Sequence, residues 1–443
     1  MKNDPRTPTI ANFFRTGFRR FLTGAYIGRE EATRAFERQR ARDAIGDRVM
    51  LWLACLGVAG LCGPTVVSEL ALAPLAVFFF VRTFNTFPTW IHWFGQPMFL
   101  VALAFAAWQA TTLLWTRDLR LGLDELSETR WAVVGVLVWP IIHRRRTLLA
   151  ALAVGFVMAH AAQVWQYADW KLGLHGPLYP PDPRRLSGWW DPVVGGSMLT
   201  AAVGLHLPGA VFGRGRTRWL ATAGLLAALV GVLATGSRGA WLASGALVLG
   251  TLVFALARSR SRRALVAGAG GLVALGIGLA VLWGPVSSRV GQATAEIRDV
   301  AQGDRRSDIG RRVDMAEWAG RAIVARPVGG VGAGGYRAWV ETREGPEVFD
   351  HAHNSVLHLG ATTGLVGLGL WGLLVWVVMR NASIGVRRLG DPGGTSGPLF
   401  ALLGFVLVSA FDVVHLNAQT AALMWLLAGM CPTWEPPGPE NQG

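Results

Sequence analysis

The sequence predicts an all-helical, polytopic integral membrane protein, with about twelve transmembrane helices and one large loop on the outer side. Hydrophobic residues make up 52% of the 443 residues and charged residues only 16%, whereas a soluble domain carries about 25% charged residues. Tryptophan, which favours the membrane interface, occurs 20 times against four tyrosines, and the 56 glycines are tolerated in transmembrane helices. These features exclude the two or three soluble domains that the length alone would suggest.

Apolar runs of about 17–25 residues, long enough to cross a hydrocarbon core of about 30 Å, give the individual spans. The joins between the first two and the last two runs contain glycine, proline or polar residues, so those four spans are the least distinct. The twelve predicted spans are 48–63, 65–82, 96–115, 128–142, 147–168, 192–210, 217–235, 239–257, 264–283, 354–379, 397–413 and 415–432.

Arginine-rich segments predict that both termini lie on the cytoplasmic side. Four short loops, at 143–146, 213–218, 258–263 and 380–388, contain arginine and no acidic residue. With twelve spans, all four lie on the same side as the amino terminus, and the excess of positive residues marks that side as cytoplasmic. The amino terminus lacks the compact apolar core of a signal peptide, so we expect the first span to direct insertion.

The chain is therefore expected to consist of five segments. These are a basic cytoplasmic segment at 1–47, transmembrane helices at 48–283, a large outer loop at 284–353, further transmembrane helices at 354–432 and a cytoplasmic tail at 433–443. The large loop is charge-balanced, with ten arginines and ten acidic residues over 284–352. Apolar residues at helical spacing predict an amphipathic helix over 310–325, which Pro327 ends before a glycine-rich turn.

Arginines on the outer side are the first candidates for chemistry. Arg184 and Arg185 precede the sixth span, where an arginine can also act as an interfacial anchor. Arg238 lies in a tight turn between two spans, where a charge is costly unless it meets an anion or a water-filled cavity. Arg311 and Arg312 begin the amphipathic helix, where pairing with nearby aspartates is the alternative interpretation. A guanidinium suits phosphate because it donates to two oxygens at once.

Histidines at the end of the large loop are the second set of candidates. His351 and His353 lie two residues apart, and Asn354 or Ser355 is the predicted N-cap of the following helix. No third ligand follows at a useful spacing and no HExxH motif is present, so we predict no metal site. A general base is the better role, because a histidine pKa near 6.5 suits proton removal at neutral pH. Arginines and histidines on one face fit a lipid-bound anionic donor that reacts with a hydroxyl; a transporter of anionic solutes explains the arginines nearly as well.

Four motifs resemble those of the O-antigen ligase and O-antigen polymerase superfamily of bacterial membrane glycosyltransferases. They are RLSG at 185–188, TGSRGAW at 235–241, ARPVGGVGAGGY at 325–336 and HAHNSVLHLGATTGLVGLGLW at 351–371. The resemblance covers roughly residues 180–380 by motif and the whole chain by topology. It implies a helical bundle similar to the C-type glycosyltransferases, in which the periplasmic loop packs over a cavity between helices.

The resemblance also implies a reaction and a set of site residues. A glycan moves from undecaprenyl diphosphate to an acceptor hydroxyl at the periplasmic face of the inner membrane, with inversion and with neither metal nor other cofactor. The donor-binding arginines correspond to Arg185 and to one of Arg311 or Arg312, with Arg238 as a second-rank phosphate contact. His353, directly before Asn354, corresponds to the base. His351 has a supporting role.

The acceptor is not determined by these residues. The HAHN segment and the single long, late loop favour a ligase that transfers the glycan to lipid A-core. The alternatives are a polymerase that extends another lipid-linked repeat unit and a protein O-oligosaccharyltransferase. A transporter of lipid-linked oligosaccharides is disfavoured, because the charges gather at one face while the span interiors are largely apolar. The expected partners are these lipid substrates and membrane lipids, and the net charge of +14 does not indicate nucleic acid because it lies in cytoplasmic loops.

Overall fold

The structure is a computed structural model that describes residues 29–94, 96–178, 180, 182, 185–258, 276, 280, 283–343, 349–389 and 396–431. Within these ranges the regular secondary structure is entirely helical, as predicted. Residues 1–28, Arg184, nearly all of the predicted span 264–283 and the predicted tail 433–443 lie outside the described residues.

Seventeen α-helices are numbered here in chain order among the described residues. They are α1 (Arg29–Arg42), α2 (Ala44–Gly60), α3 (Thr65–Val81), α4 (Thr83–Phe94), α5 (Pro97–Thr112), α6 (Leu119–Ser127), α7 (Val133–Val138), α8 (Arg145–Leu172), α9 (Pro192–Phe212), α10 (Gly215–Ala234), α11 (Arg238–Arg258), α12 (Trp283–Ala301), α13 (Asp308–Ala325), α14 (Gly335–Glu341), α15 (Ser355–Leu389), α16 (Gly397–Val408) and α17 (Ala418–Gly429). Short 3-10 helices occupy Glu128–Ala132, Trp139–Arg144 and Val414–Leu416.

Five helical runs are long and apolar enough to cross a membrane, judged by length and composition among the described residues. A sixth is obtained if α3 and the start of α4, which meet at a bend of 91°, form one span. Helices α5, α16 and α17 are apolar but shorter. The protein is therefore a helical integral membrane protein. The number of twelve spans and the side of the membrane on which each terminus lies stay predictions.

The predicted span at 128–142 is not one straight helix. A 3-10 helix, the short helix α7 and a second 3-10 helix occupy this stretch, and Ile141 has non-helical backbone angles directly after Pro140. A proline ring clashes with the carbonyl four residues earlier and removes one helical hydrogen bond. Most side chains of the stretch, among them Leu137 and Trp139, are buried in the protein. Its apolar composition therefore reflects burial among other helices.

The predicted span at 354–379 is also interrupted. Helix α15 contains Gly364 with φ 68° and ψ −172°, a conformation that separates a first segment, beginning at Ser355, from a long apolar one. The glycine-rich run after α13 packs into this break: the Val331 and Gly332 amides donate to the carbonyls of Ala361 and Thr362 at 2.8 and 2.9 Å. The run thus folds the loop tightly against α15.

Helix α9 lies at the centre of the bundle. It is buried along nearly its whole length and packs against α10, α11 and α16. A Cβ at Gly204 would lie 2.3 Å from the carbonyl oxygen of Phe400, so the backbones of α9 and α16 approach closely there. Near the amino terminus, the first described helix, α1, packs against α4, and the Phe36 side chain is buried against the ring of Trp139.

The loop between α11 and α15 has a small core of its own. The amphipathic helix predicted at 310–325 is present as α13, with Ser307 as its N-cap. The buried face of α13 packs against α14, where the Tyr336 hydroxyl donates to the carbonyl of Met315 at 2.9 Å. Helix α6 closes the other side, because the Thr116 hydroxyl before it donates to Ala333 at 2.7 Å. The loop is thus a folded unit beside the start of α15.

Candidate functional site

The candidate site is built where the start of α15 meets the segment between α16 and α17. Asn354 is the N-cap of α15: its side-chain oxygen accepts from the Leu357 amide at 3.0 Å, and its amide group donates to Ala410 at 2.9 Å. The Ser355 hydroxyl donates to the Asp412 carbonyl at 2.9 Å. These bonds fix the His351–His353 segment against residues 409–415.

His353 and Asp412 form the centre of the site. The Nδ1 atom of His353 lies 3.3 Å from a carboxylate oxygen of Asp412. His353 has a φ of 46°, a left-handed conformation that non-glycine residues rarely adopt and that is frequent at functional sites. With Nδ1 held by the carboxylate, Nε2 is the ring nitrogen left to exchange a proton with a substrate.

Arg312 joins this pair from α13. Its guanidinium donates to the carbonyl of Phe411, the residue before Asp412. Burial lowers the pKa of Arg312, while the Asp412 carboxylate raises it and Arg238 lowers it further. The cation is therefore held beside the histidine–carboxylate pair and close to a second guanidinium.

Arg185 and Arg289 add two more guanidiniums. Arg289, on α12, is buried and donates to Gln292 at 3.1 Å. Burial lowers the pKa of Arg185, the positive charge of Arg289 lowers it further, and three aspartates act in the opposite direction. Two half-buried or buried cations that repel each other are stabilised when an anion lies between them. The arrangement is suited to binding a polyanion.

Arg238 is engaged by acidic side chains. Its guanidinium donates to both carboxylate oxygens of Glu296 on α12, at 3.0 and 3.1 Å, and lies 3.7 Å from Asp308. The Glu296 carboxylate also accepts a hydrogen bond from the Ile309 amide at the start of α13. Arg238 therefore ties α11 to the two loop helices that carry Arg289 and Arg312.

Three further histidines, His351, His358 and His415, continue from His353 through successive ring contacts. Together the four residues are called the histidine group here. The ring centroids of His351 and His353 are 4.2 Å apart, and those of His351 and His358 are 6.4 Å apart, as are those of His358 and His415. The buried His358 lies 3.0 Å through Nε2 from the Glu125 carboxylate on α6. Burial and the neighbouring histidines lower the pKa of His351 to about 4. His351 is therefore neutral at neutral pH.

An apolar cavity of about 250 Å³ begins beside this histidine group. It lies between α5, α15, α16 and α17, and its lining from Phe99 to Gln109 follows ten residues of α5, a rise of about 15 Å. Its polar lining includes Glu125 and His415, whereas most of its wall is apolar. Leu103 lines it and is 53% exposed, so the cavity reaches the exposed surface of the helical bundle.

The structure brings most of the predicted site residues together. Arg312, His351, His353 and Asn354 lie at or next to Asp412. Arg185 lies near Arg289 and Asp308 instead. Arg238 contributes through its ion pairs with Glu296 and Asp308. Of the two arginine doublets, Arg312 is the member that faces the site, whereas Arg311 is exposed; Arg184 lies outside the described residues.

Sequence reasoning missed two site residues, Asp412 and Arg289. Asp412 was read as part of a membrane span over 397–413, but α16 ends at Val408 and Asp412 lies in the following turn. An acidic residue at the edge of a predicted span is a usable signal, since such residues are rare and functional. Arg289 carried no such signal, because it is one of ten arginines in the loop.

Asp412 supplies a third potential ligand for a metal ion beside the two histidines. One ligand atom each from His351, His353 and Asp412 lie within 4.8 Å of one another. Spacing along the chain did not reveal this third potential ligand, because it comes 59 residues after His353. That catalysis proceeds without a metal stays a prediction.

Comparison with known families finds a similarity that covers part of this site, without Asp412 and Arg185. Residues 223–372 match the family model described as O-antigen ligase, which confirms the resemblance inferred from the motifs. The match covers about a third of the chain and includes Arg238, Arg312 and His353. The comparison with curated proteins gives no match. The members of the matched family are glycosyltransferase-like, and the match does not distinguish a ligase from a polymerase.

Proposed function

We propose that this protein transfers a glycan from undecaprenyl diphosphate to an acceptor hydroxyl, as an O-antigen ligase with lipid A-core as the acceptor. The transfer takes place at the periplasmic face of the bacterial inner membrane, with inversion at the anomeric carbon and without a metal. The observation that carries the proposal is the pairing of His353 with Asp412, 3.3 Å apart, beside the guanidinium of Arg312.

His353 is the general base of the proposed reaction. The Asp412 carboxylate accepts a hydrogen bond from the Nδ1–H group, orients the ring and stabilises the imidazolium that forms when Nε2 gains a proton. Nε2 removes the proton of the acceptor hydroxyl as its oxygen attacks the anomeric carbon. The bond from that carbon to the diphosphate oxygen breaks, and undecaprenyl diphosphate leaves with both electrons of the bond.

The arginines bind the donor diphosphate and offset the charge that develops on the leaving group. Arg185, Arg312 and Arg289 are half-buried or buried, so their charges act in a medium where electrostatic interactions are strong. Arg311 and Arg238 complete the candidate set, Arg238 as a second-rank contact that Glu296 holds in the free protein. His351 and Asn354 support the base.

The apolar cavity is the proposed place for part of the prenyl chain of the donor. Its length of about 15 Å corresponds to one leaflet of a hydrocarbon core of about 30 Å. Its polar end lies at His415 and Glu125, beside the histidine group, and its side reaches the exposed surface of the helical bundle at Leu103. A chain of apolar carbon atoms fits this slot better than a sugar or a peptide does.

The proposal is tested by reconstituting the purified protein with a matched undecaprenyl-diphosphate-linked oligosaccharide, in the presence or absence of lipid A-core. Products are identified by mass spectrometry. Glycan on lipid A-core supports the ligase. Longer lipid-linked chains without that acceptor would instead identify a polymerase, and transfer to an exported protein would identify a protein O-oligosaccharyltransferase.

One variant separates chemistry from binding. We expect His353→Ala to lower transfer about 100-fold or more while the donor still binds. A protein that binds donor but transfers nothing in any reaction would contradict the enzymatic proposal and favour a transporter. Unchanged transfer by His353→Ala would contradict the role of His353 as the general base.

A further inference from the structure

Three side chains of the site converge in a way that the transfer reaction alone does not require. His353 and Asp412 approach to 3.3 Å, and His351 packs edge to face against the His353 ring at 4.2 Å between centroids. The Nδ1 atom of His351 is buried and has no hydrogen-bond partner among the described residues. A buried ring nitrogen without a partner is uncommon, because leaving it unpaired costs free energy.

The donor set and its spacing match a transition-metal site. Two imidazole nitrogens and one carboxylate oxygen are a ligand set that zinc uses in proteins, at bond lengths of about 2.0–2.2 Å. In tetrahedral geometry those bonds place neighbouring ligand atoms about 3.4 Å apart. The His353–Asp412 separation already has this value, and all three ligand atoms lie within 4.8 Å.

Backbone and capping contacts hold the ligands in place. His351 and His353 precede the N-cap Asn354, and the Ser355 hydroxyl donates to the backbone carbonyl of Asp412 itself. Ligands that are positioned before a metal arrives lose less conformational entropy on binding. The site therefore differs from a chance group of exposed acidic residues.

We propose that His351, His353 and Asp412 bind one zinc-like divalent cation, and that the bound cation inhibits the enzyme. The cation-binding part stands on the geometry alone, whereas the inhibition rests on the proposed function. A cation coordinated by His353 and Asp412 replaces the hydrogen bond between them and withdraws electron density from the ring. The histidine can then no longer accept the proton of an acceptor hydroxyl.

The binding test uses the full-length protein, purified in detergent without a histidine tag, and the metal ions alone. Isothermal titration calorimetry with Zn²⁺, and visible absorption with Co²⁺, should both give one ion per chain. We expect His351→Gln, His353→Gln and Asp412→Asn each to weaken binding about 100-fold or more. His175→Gln and Asp350→Asn are matched controls, because both side chains are exposed and outside the trio. They should bind as the natural protein does.

The outcomes separate this site from the proposed reaction. Equal Zn²⁺ affinity in the natural protein and the three ligand variants would overturn the site, provided that thermal unfolding confirms folded variants. If the site is correct, Zn²⁺ should inhibit transfer with half-maximal effect near its measured Kd, and EDTA should restore the rate. Stimulation by Zn²⁺ would overturn the inhibitory role. Zn²⁺ binding by a protein that transfers no glycan would leave the site standing and contradict the proposed function instead.

Discussion

At the scale of single residues, the role of His353 depends on Asp412. The carboxylate holds Nδ1 at 3.3 Å, and the strained backbone of His353 fixes the direction of the ring. Burial raises the pKa of Asp412, but the hydrogen bonds from His353 and the Val413 amide and the charge of the histidines bring it below its usual value. Asp412 is therefore ionised at neutral pH and can stabilise an imidazolium.

Asp412→Asn is expected to lower kcat for glycan transfer about 100-fold or more, because an amide neither orients the ring as a base nor stabilises its charged form. The affinity for the lipid-linked donor should change little. Single-turnover transfer and donor binding in detergent measure the two quantities. Asp350→Asn, which removes a nearby exposed carboxylate, is the control, and equal loss in both variants would contradict the role of Asp412.

The depressed pKa of His351 predicts a loss of stability in acid. In the unfolded chain the ring binds a proton with a pKa of 6.5, whereas in the folded protein burial lowers this value to about 4. Between these values the unfolded state binds more protons, so the stability that His351 contributes above pH 6.5 is lost as the pH falls toward 4.

Thermal unfolding of the natural protein and of His351→Gln at several pH values between 7 and 4.5 measures this contribution. Acidification should lower the midpoint temperature of thermal unfolding more steeply in the natural protein than in the His351→Gln variant. Parallel curves for the two proteins would exclude His351 as a source of the acid sensitivity.

The sequence proposed His353 and the doublet Arg311–Arg312 through motifs that resemble a known family, one before a helix cap and one at the start of an amphipathic helix, without deciding between the two arginines. The sequence analysis did not identify Asp412, because its partner His353 lies 59 residues away along the chain. A sequence separation of this length does not indicate whether two residues are in contact. Arg289 was missed for a related reason: only the burial of its side chain and its proximity to Arg185 distinguish it from the other loop arginines.

At the scale of elements, the Arg238–Glu296 pair connects the membrane helix α11 to the loop helix α12. The contact is bidentate and mostly buried, with side-chain exposures of 25% and 16%. We expect the losses in thermal stability from Arg238→Ala and Glu296→Ala to be non-additive, with a coupling of about 1 kcal/mol.

A double-mutant cycle on purified protein checks this coupling. The exposed pair of Arg306 and Asp304, with exposures of 91% and 48%, is the matched control and should show almost none. Additive losses at Arg238 and Glu296 would mean that the pair does not hold α12. A larger increase of donor KM in Arg238→Ala than in Glu296→Ala would support the second-rank diphosphate contact.

The break in α15 depends on one glycine. Gly364 has a positive φ, and an added Cβ would lie 2.2 Å from the carbonyl oxygen of Val328. Gly364→Ala should therefore destabilise the protein by about 2 kcal/mol or more. Gly369→Ala and Gly372→Ala lie on the same helix with open space at Cβ and should be neutral or stabilising. Thermal unfolding compares the three variants, and similar midpoints would contradict the structural role of the break.

Elements that depend on local signals were predicted well. Helix α13 has a serine N-cap, one apolar face and a following proline, and it lies where the sequence placed it. The stretch predicted as one span at 128–142 is divided into three short helices that are mostly buried, because hydropathy reveals neither the bend after Pro140 nor burial among other helices. The break at Gly364 depends on contacts with a distant loop, which a periodic pattern cannot reveal.

At the scale of the whole molecule, the site lies between a group of cations and an apolar cavity. Arg185, Arg289 and Arg312 come from the segment before α9 and from the loop helices, whereas the cavity lies between membrane helices and begins at His415 and Glu125. The histidine group separates the two. This arrangement suits a donor whose diphosphate and prenyl chain require opposite environments while the bond between sugar and phosphate reacts beside His353.

Filling the cavity tests this division of the donor into two parts. Ala106 lines the cavity from α5, and Ala107, its neighbour on the same helix, is exposed on the surface of the helical bundle. Ala106→Trp places a large ring in a space of about 250 Å³ and should raise the KM for the long-chain donor about tenfold, with little change in kcat. Ala107→Trp adds the same side chain outside the cavity and should leave the KM unchanged.

A donor analogue with a much shorter prenyl chain distinguishes a filled slot from a distorted active site. Because the short chain does not extend along the cavity, its KM should be nearly the same in the natural protein and in Ala106→Trp. If the substitution impaired short and long donors equally, the ring would be disturbing the histidine group rather than excluding a lipid chain. If it impaired neither, the prenyl chain would bind elsewhere on the bundle.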